Sequence, residues 1–271
     1  MRFRASSIVI FDADVLFFAG IFKLIHRLRG NVLVLDIHDY YPSARGQRKL
    51  RIVSMFADRV VGVSHFVLDQ ISVRSNTSRC VRPMVLTEAI RERPVGDFVV
   101  GIVGRVSSDK DVHRVLELSR LTSNDVVYSI RGGADASSAG YLASILVELE
   151  KAEFSNIRYE GVVERHALYD GLSALLVFNT TEPSGRVVAE AQAAGCPPIV
   201  PNSGGAFEYV EDGRSGFVYS HDDIDGLAAL LNGLGQNRAN SFELEQACRE
   251  WVSENYSPDA SAAMYAQGIA L

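Results

Sequence analysis

The sequence has few cysteines and no long apolar run, and both absences exclude classes of protein. Its 271 residues include only Cys80, Cys196 and Cys248, whose spacing is neither paired nor typical of a metal site. This excludes a disulfide framework and favours a reducing compartment, with all three cysteines as packing residues. The most apolar stretch, Val15 to Phe22, is far shorter than the ~20 residues that span a bilayer. We therefore expect a cytoplasmic globular protein.

The net charge of −6 hides an asymmetry between the two parts of the chain. Residues 1–95 hold 15 Lys and Arg against 8 Asp and Glu, a net of +7, and the remainder holds 12 against 25, a net of −13. Two domains with different partners are indicated. The cations Arg45, Arg48, Lys49 and Arg51 either face an anionic lipid surface or an acceptor, or form a solvated helix face. The first interpretation places the protein peripherally at the inner face of a membrane. No nucleic-acid partner is predicted.

Strand and helix patterns alternate along the whole chain, which predicts an α/β fold with parallel sheets. The alternation restarts after a polar segment at 91–97, the predicted linker. We expect a first domain at 1–95 and a second at 96–271, both Rossmann-like. Strands are predicted at 7–11, 32–37, 59–64, 98–103, 126–130, 157–159, 174–178 and 198–200, and helices at 19–29, 47–57, 65–73, 111–121, 141–152 and 186–194.

Three segments of the second domain follow predicted strands, where open parallel sheets bind ligands. The first runs from Gly104 to Lys110 and includes Arg105, so that one loop carries two cations that can neutralise a diphosphate. This spacing alone is a weak signal, because many surface loops show it.

The second segment opens a helix and contains Glu182, Ser184, Gly185, Arg186, Val187 and Glu190. Gly185 leaves room near the backbone, and the first amides of the helix can form a nest for an anion or a hydroxyl. The two carboxylates suit the paired hydroxyls of a sugar or a ribose. The alternative is that a glutamate near a helix N-terminus only stabilises the helix dipole.

The third segment joins Ser203-Gly-Gly-Ala-Phe-Glu208 to Asp212-Gly-Arg-Ser-Gly-Phe217. These two motifs follow four others along the chain: G-R-x4-K, I-R-G-G, Y-E-G-V-V and E-P-S-G-R-V-V-A-E-A-Q-A-A-G-C-P. The order of all six motifs resembles that of glycosyltransferase family 4. These are retaining GT-B enzymes with an E-x7-E motif, here Glu182 and Glu190. The resemblance is dense over residues 98–220. It continues loosely to the C-terminus, where the closing helices of the family return to the first domain.

The resemblance implies roles for individual residues toward a nucleoside-diphosphate sugar, which is the co-substrate. Arg105 and Lys110, beside Gly104, hold the diphosphate, and Glu182 contacts the donor sugar. The amides from Ser184 to Arg186, next to Val187, hold sugar hydroxyls or phosphate, and Glu190 grips the ribose hydroxyls. The loop residues Gly132, Val162 and Val163 belong to the donor site, the last two beside the base. The resemblance implies neither a metal nor another cofactor.

The first domain matches the same family in Asp36-Ile-His38-Asp39-Tyr40, where a central histidine lies between the donor sugar and the acceptor. His38 is therefore the candidate catalytic residue of this domain. The βαβ units and the glycine-rich loop that family members carry before the predicted strand at 7–11 have no counterpart here, and the resemblance therefore implies a shortened acceptor-side domain. Ser184 also differs from the aromatic or aliphatic residue of the family.

Three interpretations of function follow from these observations. The first is a retaining glycosyltransferase that moves a sugar to a glycan, a lipid-linked acceptor or a small molecule. The second is a non-catalytic nucleotide-sugar-binding protein, or one subunit of a hetero-complex whose protein partner completes the site. A sugar epimerase is weaker, because its additional acid and base carboxylates have no candidates. A nicotinamide dehydrogenase is disfavoured, since no G-x-G-x-x-G follows an early strand.

Overall fold

The computed structural model describes residues 7–10, 32–70, 78–80, 96–237 and 241–269. The chain divides into two units. The first comprises Met1–Met84, Glu182–Ser184 and Asn255–Leu271, and the second comprises Val85–Thr181 and Gly185–Glu254. The predicted helix at 19–29, the apolar stretch from Val15 to Phe22, and residues 91–95 of the predicted linker lie outside the described residues.

A parallel four-stranded sheet in the order β1-β2-β3-β4 forms the centre of the first unit. Its strands are β1 Ser7–Ile10, β2 Val32–Ile37, β3 Arg59–Gly62 and β4 Ser78–Cys80. The sequence predicted β1 to β3, because short runs of β-branched residues favour buried parallel strands. The strand β4 was not predicted.

A parallel six-stranded sheet in the order β10-β9-β8-β5-β6-β7 forms the second unit. Its strands are β5 Phe98–Val103, β6 Val126–Arg131, β7 Ile157–Gly161, β8 Ala174–Leu176, β9 Pro198–Pro201 and β10 Phe217–Tyr219. The first strand, β5, lies between β6 and β8, so the strand order reverses there. This is the doubly wound Rossmann order, in which the reversal marks a ligand-binding crevice at the carboxyl ends of the strands.

The described α-helices connect these strands or follow them. They are α1 Ala44–Ser54, α2 His65–Asp69, α3 Arg114–Leu121, α4 Ala139–Leu149, α5 Arg186–Ala193, α6 Ile224–Gln236, α7 Ser241–Asn255 and α8 Pro258–Ile269. Short 3₁₀ turns lie at Ser108–Lys110, Ala152–Phe154, Arg165–Ala167 and Ala206–Tyr209.

Local capping explains where several helices begin and end. The helix α1 starts three residues earlier than predicted because the Ser43 hydroxyl accepts a hydrogen bond from the Gly46 amide, at 3.1 Å. The helix predicted from Asp111 begins only at Arg114, because Asp111 has φ 51° and terminates the preceding turn. Gly195 follows α5 with φ 74°, which confirms the predicted C′ glycine.

Each sheet buries its own apolar side chains. In the second unit, β5, β6 and β8 pack Val100, Ile130 and Leu176 against the apolar faces of α3 and α6. In the first unit, Leu35 and Ile37 of β2 pack with apolar residues of α1 and α2. On the other face of that sheet, Val34 and Val61 pack with the helix α8, through Met264 and Tyr265.

Candidate functional site

The loops after β5 and β6 are joined through their backbones to the ends of the neighbouring strands, at the carboxyl edge of the second sheet. The amide of Gly104, just after β5, donates to the carbonyl of Arg131 at 2.9 Å, and the amide of Gly132, just after β6, donates to Gly161 at 2.7 Å. These bonds continue the hydrogen-bond pattern of the strands into the loops. The starts of the loops after β5 and β6 are therefore fixed to each other and to the end of β7, and we call this connected backbone the floor.

Gly132 has to be a glycine for this floor to form. Its φ of 150° lies in a region that side chains disfavour, and a Cβ atom built at this position falls 1.7 Å from the carbonyl oxygen of Gly104. The two candidate donor-site glycines thus touch through their backbones. The sequence predicted both as site residues, and their contact also gives each a structural role.

Arg105 points its guanidinium at two carboxylates. Its Nη1 lies 3.1 Å from Asp135 Oδ2, its Nη2 lies 3.4 Å from Asp109 Oδ2, and its Nε donates to the Ser107 hydroxyl at 3.3 Å. The side chain is about half exposed, so each ion pair by itself contributes little to stability. Together the three contacts fix the direction of the guanidinium.

Asp135 is itself held in place. Its Oδ1 accepts from the Ser137 hydroxyl at 2.6 Å and from the Ser138 amide at 2.9 Å. The hydrogen bonds from Ser137 and Ser138, together with the positive charge of Arg105, lower the pKa of Asp135 to about 2. Asp135 is therefore ionised at neutral pH. The sequence interpretation missed this residue, because neither its motif nor its spacing marks it.

Lys110 ends the 3₁₀ turn Ser108–Lys110 and is partly buried. Its amide donates to the Ser107 carbonyl at 3.0 Å, and the left-handed Asp111 follows it. Although partial burial of Asp109 opposes the effect, a hydrogen bond from Ser107 and the charges of Arg105 and Lys110 lower the pKa of Asp109. The loop after β5 is thus a fixed turn that carries two cations.

Glu190 lies on α5 and is surrounded by cationic and hydroxyl groups. Its Oε1 lies 3.4 Å from Nε of Arg186 and 3.6 Å from Nη2 of Arg165, and its Oε2 lies 3.5 Å from the Tyr169 hydroxyl. Arg186 was predicted as a site residue. Arg165 and Tyr169 were not, because they lie in an irregular segment whose path the sequence pattern does not indicate.

Tyr169 is buried, and its hydroxyl also donates to the Val187 carbonyl at 3.2 Å. Burial, together with the negative charge of Glu190, raises the pKa of Tyr169. The hydroxyl therefore stays protonated and remains a donor toward Glu190 and the first turn of α5.

The buried Arg131 holds the segment that contains Tyr169. Its Nη1 donates to the carbonyls of Leu168 and Asp170 at 3.0 and 2.8 Å, and its Nε lies 3.2 Å from Glu160 Oε2. The arginine of the I-R-G-G motif thus supports the loop from within the sheet.

Gly185 begins α5 as its N-cap, but the space beside it is filled. A Cβ atom at Gly185 falls 2.3 Å from the ring of Tyr209, which is fully buried. The expectation that Gly185 leaves room for a ligand is therefore corrected: this glycine lets the aromatic ring of Tyr209 pack against the start of the helix.

The segment from Ser203 to Phe217 mainly supports α5. The buried Gln192 donates to the carbonyls of Tyr209 and Ser215 at 3.0 and 2.9 Å, and the Ser215 hydroxyl accepts from the Glu211 amide at 2.9 Å. Asp212 Oδ1 accepts from the Val218 amide at 2.9 Å. These hydrogen bonds give Asp212 and Ser215, in the later part of this segment, structural roles.

The remaining predicted residues of the donor site are placed in both units. Val162, which is exposed, and Val163 follow β7 in the second unit. Glu182 and Ser184 belong to the first unit and are partly buried.

His38 lies one residue beyond β2 and pairs with a buried carboxylate. Its Nε2 lies 3.1 Å from Asp36 Oδ1, and Asp36 Oδ2 accepts from the Tyr265 hydroxyl of α8, also at 3.1 Å. The hydrogen bond to Asp36 outweighs partial burial and raises the pKa of His38. For Tyr265, burial and the charge of Asp36 raise the pKa to about 12.

The loop that carries His38 is anchored to α2. The Gln70 side chain accepts from the Tyr41 amide at 2.6 Å through Oε1, and its Nε2 donates to the Asp39 carbonyl at 3.2 Å. The rings of Tyr40 and Phe66 lie 4.9 Å apart. The position of His38 is therefore set by a packed loop.

Comparison with known protein families shows which family the chain belongs to. Residues 87–252, which are more than half of the chain, match the family described as glycosyl transferases group 1. The chain belongs to this family.

Mycobacterial mannosyltransferases are among the curated proteins that this chain resembles. The GDP-mannose-dependent alpha-(1-6)-phosphatidylinositol monomannoside mannosyltransferase of Mycobacterium tuberculosis is 38% identical over 180 residues, which are 65% of this chain and 47% of that protein. The protein of the same name from Mycolicibacterium smegmatis is 27% identical over 170 residues, 61% of this chain and 44% of the relative. The chain thus spans less than half the length of these curated relatives.

Solved structures share the fold at low sequence identity. Anabaena HepE in complex with UDP has a TM-score of 0.81 and 20% identity, over 96% of this chain and 76% of that chain. TarM has a TM-score of 0.79 and 16% identity, over 97% of this chain and 54% of that chain. The predicted GT-B fold class, with Rossmann-like parallel sheets, is confirmed.

Within the part of the chain that the structure describes, no helix combines the length and the apolar character needed to cross a bilayer.

Proposed function

We propose that this group 1 glycosyltransferase is a retaining, metal-independent enzyme of family 4. It moves a sugar from a nucleoside-diphosphate sugar to the hydroxyl of a glycan, a lipid-linked or a small-molecule acceptor. In this proposal residues 96–271 are the donor domain, and residues 1–95 are the acceptor-side domain. The E-x7-E motif is Glu182 and Glu190.

One observation carries the proposal. The strand order of the second sheet reverses between β5 and β8. The loop with Arg105 and Lys110 follows β5, and the chain after β8 leads into α5, where Glu190 lies. Two cations and a carboxylate with hydroxyl-binding chemistry therefore flank the position where doubly wound sheets bind nucleotides.

Arg105 and Lys110 are assigned to the donor diphosphate. As the bond between sugar and phosphate breaks, negative charge grows on the leaving nucleoside diphosphate, and two fixed cations stabilise it without reorganising. The guanidinium of Arg105 is already oriented by Asp109 and Asp135. The backbones of Gly104 and Gly132, which contact each other, fix the loop that carries this arginine.

Glu190 is assigned to the ribose hydroxyls and Glu182 to the donor sugar. Arg165 and Arg186 offset the charge of Glu190 and leave it an acceptor for two hydroxyl donors. The backbone amides from Ser184 to Val187 hold sugar hydroxyls or phosphate. Val162 and Val163 lie beside the base in this assignment.

His38 is assigned to the region between the donor sugar and the acceptor. Its pairing with Asp36 fixes the ring and favours the protonated form. The acceptor hydroxyl attacks the face of an oxocarbenium-like sugar from which the diphosphate departs, so that the anomeric configuration is retained. The proton of that hydroxyl passes to the departing diphosphate.

A donor screen followed by a transfer assay tests this function. UDP- and GDP-sugars are screened by thermal stabilisation, because a ligand at 100 times its Kd adds about 2.7 kcal/mol to stability. The stabilising donor is then incubated with candidate acceptors, with and without EDTA, and the product anomer is assigned by NMR. We expect transfer with retention that EDTA leaves unchanged.

Each contrary result removes a different part of the proposal. Inversion at the anomeric carbon contradicts the retaining mechanism, and inhibition by EDTA contradicts metal independence. Donor binding without hydrolysis or transfer, restored by a protein partner, supports a subunit of a hetero-complex instead. The failure of every nucleotide sugar to stabilise the chain contradicts the donor site itself.

A further inference from the structure

The outward face of α1 carries a continuous stripe of cationic and apolar side chains. Arg45, Arg48, Ile52 and the C-cap residue Met55, which keeps a helical conformation, follow one another at spacings of three, four and three residues, and all four are exposed. At 3.6 residues per turn they fall within about 80° of the helix circumference. We name these four residues the α1 stripe.

The side of α1 opposite the stripe carries the apolar residues that pack the helix on the first sheet. Leu50 and Val53 are buried and pack in the apolar cluster of the first sheet. Ile52 and Met55 contribute little to that core, because 41% and 75% of their surfaces are exposed. Packing among the described residues therefore does not explain the apolar character of the stripe.

The charge of the helix has one sign. From Ala44 to Ser54 the sequence contains Arg45, Arg48, Lys49 and Arg51, and no acidic residue. Asp58, the next carboxylate along the chain, accepts a hydrogen bond from the Leu33 amide through Oδ2, at 2.9 Å. The stripe thus belongs to a basic helix surface with two exposed apolar side chains in line with its arginines.

This helix is held in position before any partner arrives. Ser43 caps its start, Gln47 Nε2 donates to the Tyr41 carbonyl at 3.1 Å, and Arg51 Nε donates to the Gln70 carbonyl at 3.3 Å. A partner that binds the stripe therefore binds an ordered helix, and binding does not include the free-energy cost of ordering that helix.

We propose that the α1 stripe docks this chain on an anionic lipid bilayer. Guanidinium groups suit lipid phosphates, and apolar side chains on the same face enter the boundary between headgroups and acyl chains. Single exposed apolar residues are ordinary on protein surfaces. Here their alignment with cations supplies both the attraction to anionic lipid and the contact with the acyl region. This proposal goes beyond the proposed function and does not depend on the donor site.

Vesicle co-sedimentation of the full chain tests the docking surface. The vesicles are phosphatidylcholine alone, or phosphatidylcholine mixed with phosphatidylglycerol. We expect binding only to the mixed vesicles, and weaker binding as salt is added, because salt shortens the range of the attraction. Equal binding to both kinds of vesicle overturns the proposal, as does the absence of binding to either.

Two double variants separate the parts of the stripe. Arg45→Gln with Arg48→Gln is expected to weaken binding by about 25-fold, about fivefold for each cation. Ile52→Ser with Met55→Ser is expected to weaken it by about tenfold, since these side chains enter the boundary region. All four side chains are exposed, so the melting temperature should stay unchanged and report an intact fold.

Matched variants elsewhere on the chain are the controls. Lys151→Gln with Arg158→Gln removes two exposed cations of the second unit, and Leu121→Ser with Val147→Ser removes two exposed apolar side chains there. Vesicle binding should remain as in the parent. The proposal is overturned if the controls lose as much binding as the stripe variants, or if the apolar stripe variant loses none. It is also overturned if a nucleic acid competes as effectively as anionic lipid, because the surface then responds to charge alone.

Discussion

Arg105 Nη1 and Asp135 Oδ2 lie 3.1 Å apart, and the other oxygen of Asp135 is held by Ser137 and Ser138 at the start of α4. A carboxylate fixed on both sides thus directs a flexible arginine on a neighbouring loop. If Arg105 binds the donor diphosphate, Asp135 is a positioning residue for that contact.

Asp135→Asn is expected to weaken donor binding by weakening the orientation of Arg105. The KM for the nucleotide sugar should rise about two- to fivefold, the range of exposed ion pairs, with little change in kcat. Steady-state kinetics at low and high salt measure this, and added salt should reduce the difference between parent and variant. Glu117→Gln, at an exposed position on α3, is the control. A KM equal to that of the parent at low salt would contradict the positioning role.

Lys110→Ala is expected to lower kcat by about 100-fold or more, because a fixed cation that stabilises the leaving diphosphate is lost. Single-turnover transfer with a saturating donor measures the chemical step. Lys151→Ala, which removes a lysine paired with Glu148 on the surface, should leave the rate unchanged. A Lys110→Ala enzyme as fast as the parent would refute the assignment.

The same substitution at two glycines is expected to have opposite effects on stability. Gly132→Ala should lower the free energy of unfolding by about 1–3 kcal/mol, because the new Cβ overlaps the Gly104 carbonyl at an unfavourable φ. Gly140→Ala, in the first turn of α4 with no atom within 4 Å of its Cβ, should raise it by up to about 0.5 kcal/mol, less than the value for a helix interior. Urea denaturation measures both values. If Gly132→Ala does not lower the free energy of unfolding, the close contact between the loops is wrong.

The pairing of His38 with Asp36 predicts a pH-dependent contribution to stability. Because the folded-state pKa of His38 is raised above 6.5, its stabilisation is complete below pH 6.5 and is lost as the pH rises through the folded value. The parent should therefore exceed His38→Gln in stability more at about pH 5.5 than at about pH 8.5. The difference should stay under about 1 kcal/mol, since the imidazole is half exposed.

NMR titration of His38 identifies the cause of the raised pKa. Asp36→Asn should bring the pKa back toward 6.5, whereas Tyr265→Phe, which keeps the contact between Asp36 and His38, should leave it raised. An unshifted pKa in the parent would contradict the ion pair.

Most of the described strands could be predicted from local patterns. Phe98–Val103 and Val126–Arg131 are short runs rich in β-branched residues, which fit a buried parallel strand with little help from the rest of the chain. Both ends of α5 were predictable. A turn precedes its regularly spaced apolar residues, and a C′ glycine follows them. The site residues of the G-R-x4-K and E-x7-E motifs were named by order along the chain.

The neighbours of those residues were not predictable in the same way. Asp135 reaches Arg105 across 30 positions of sequence, and Tyr169 reaches Glu190 across 21. Residues so far apart in the sequence come into contact only because parallel strands place their carboxyl ends at one edge of the sheet. The role of Gly185 was misjudged for the same reason, since the ring of Tyr209 that fills its space comes from a later turn.

The sequence by itself determined the alternation of strands and helices, the cations after β5 and the carboxylate on α5, because period, capping and motif order are local properties. Tertiary structure alone decided which groups surround these residues. Tyr265 shows this most directly, because its hydroxyl reaches Asp36 from 229 positions away, where α8 packs on the first sheet. Packing between distant segments sets such contacts, and no spacing along the chain encodes them.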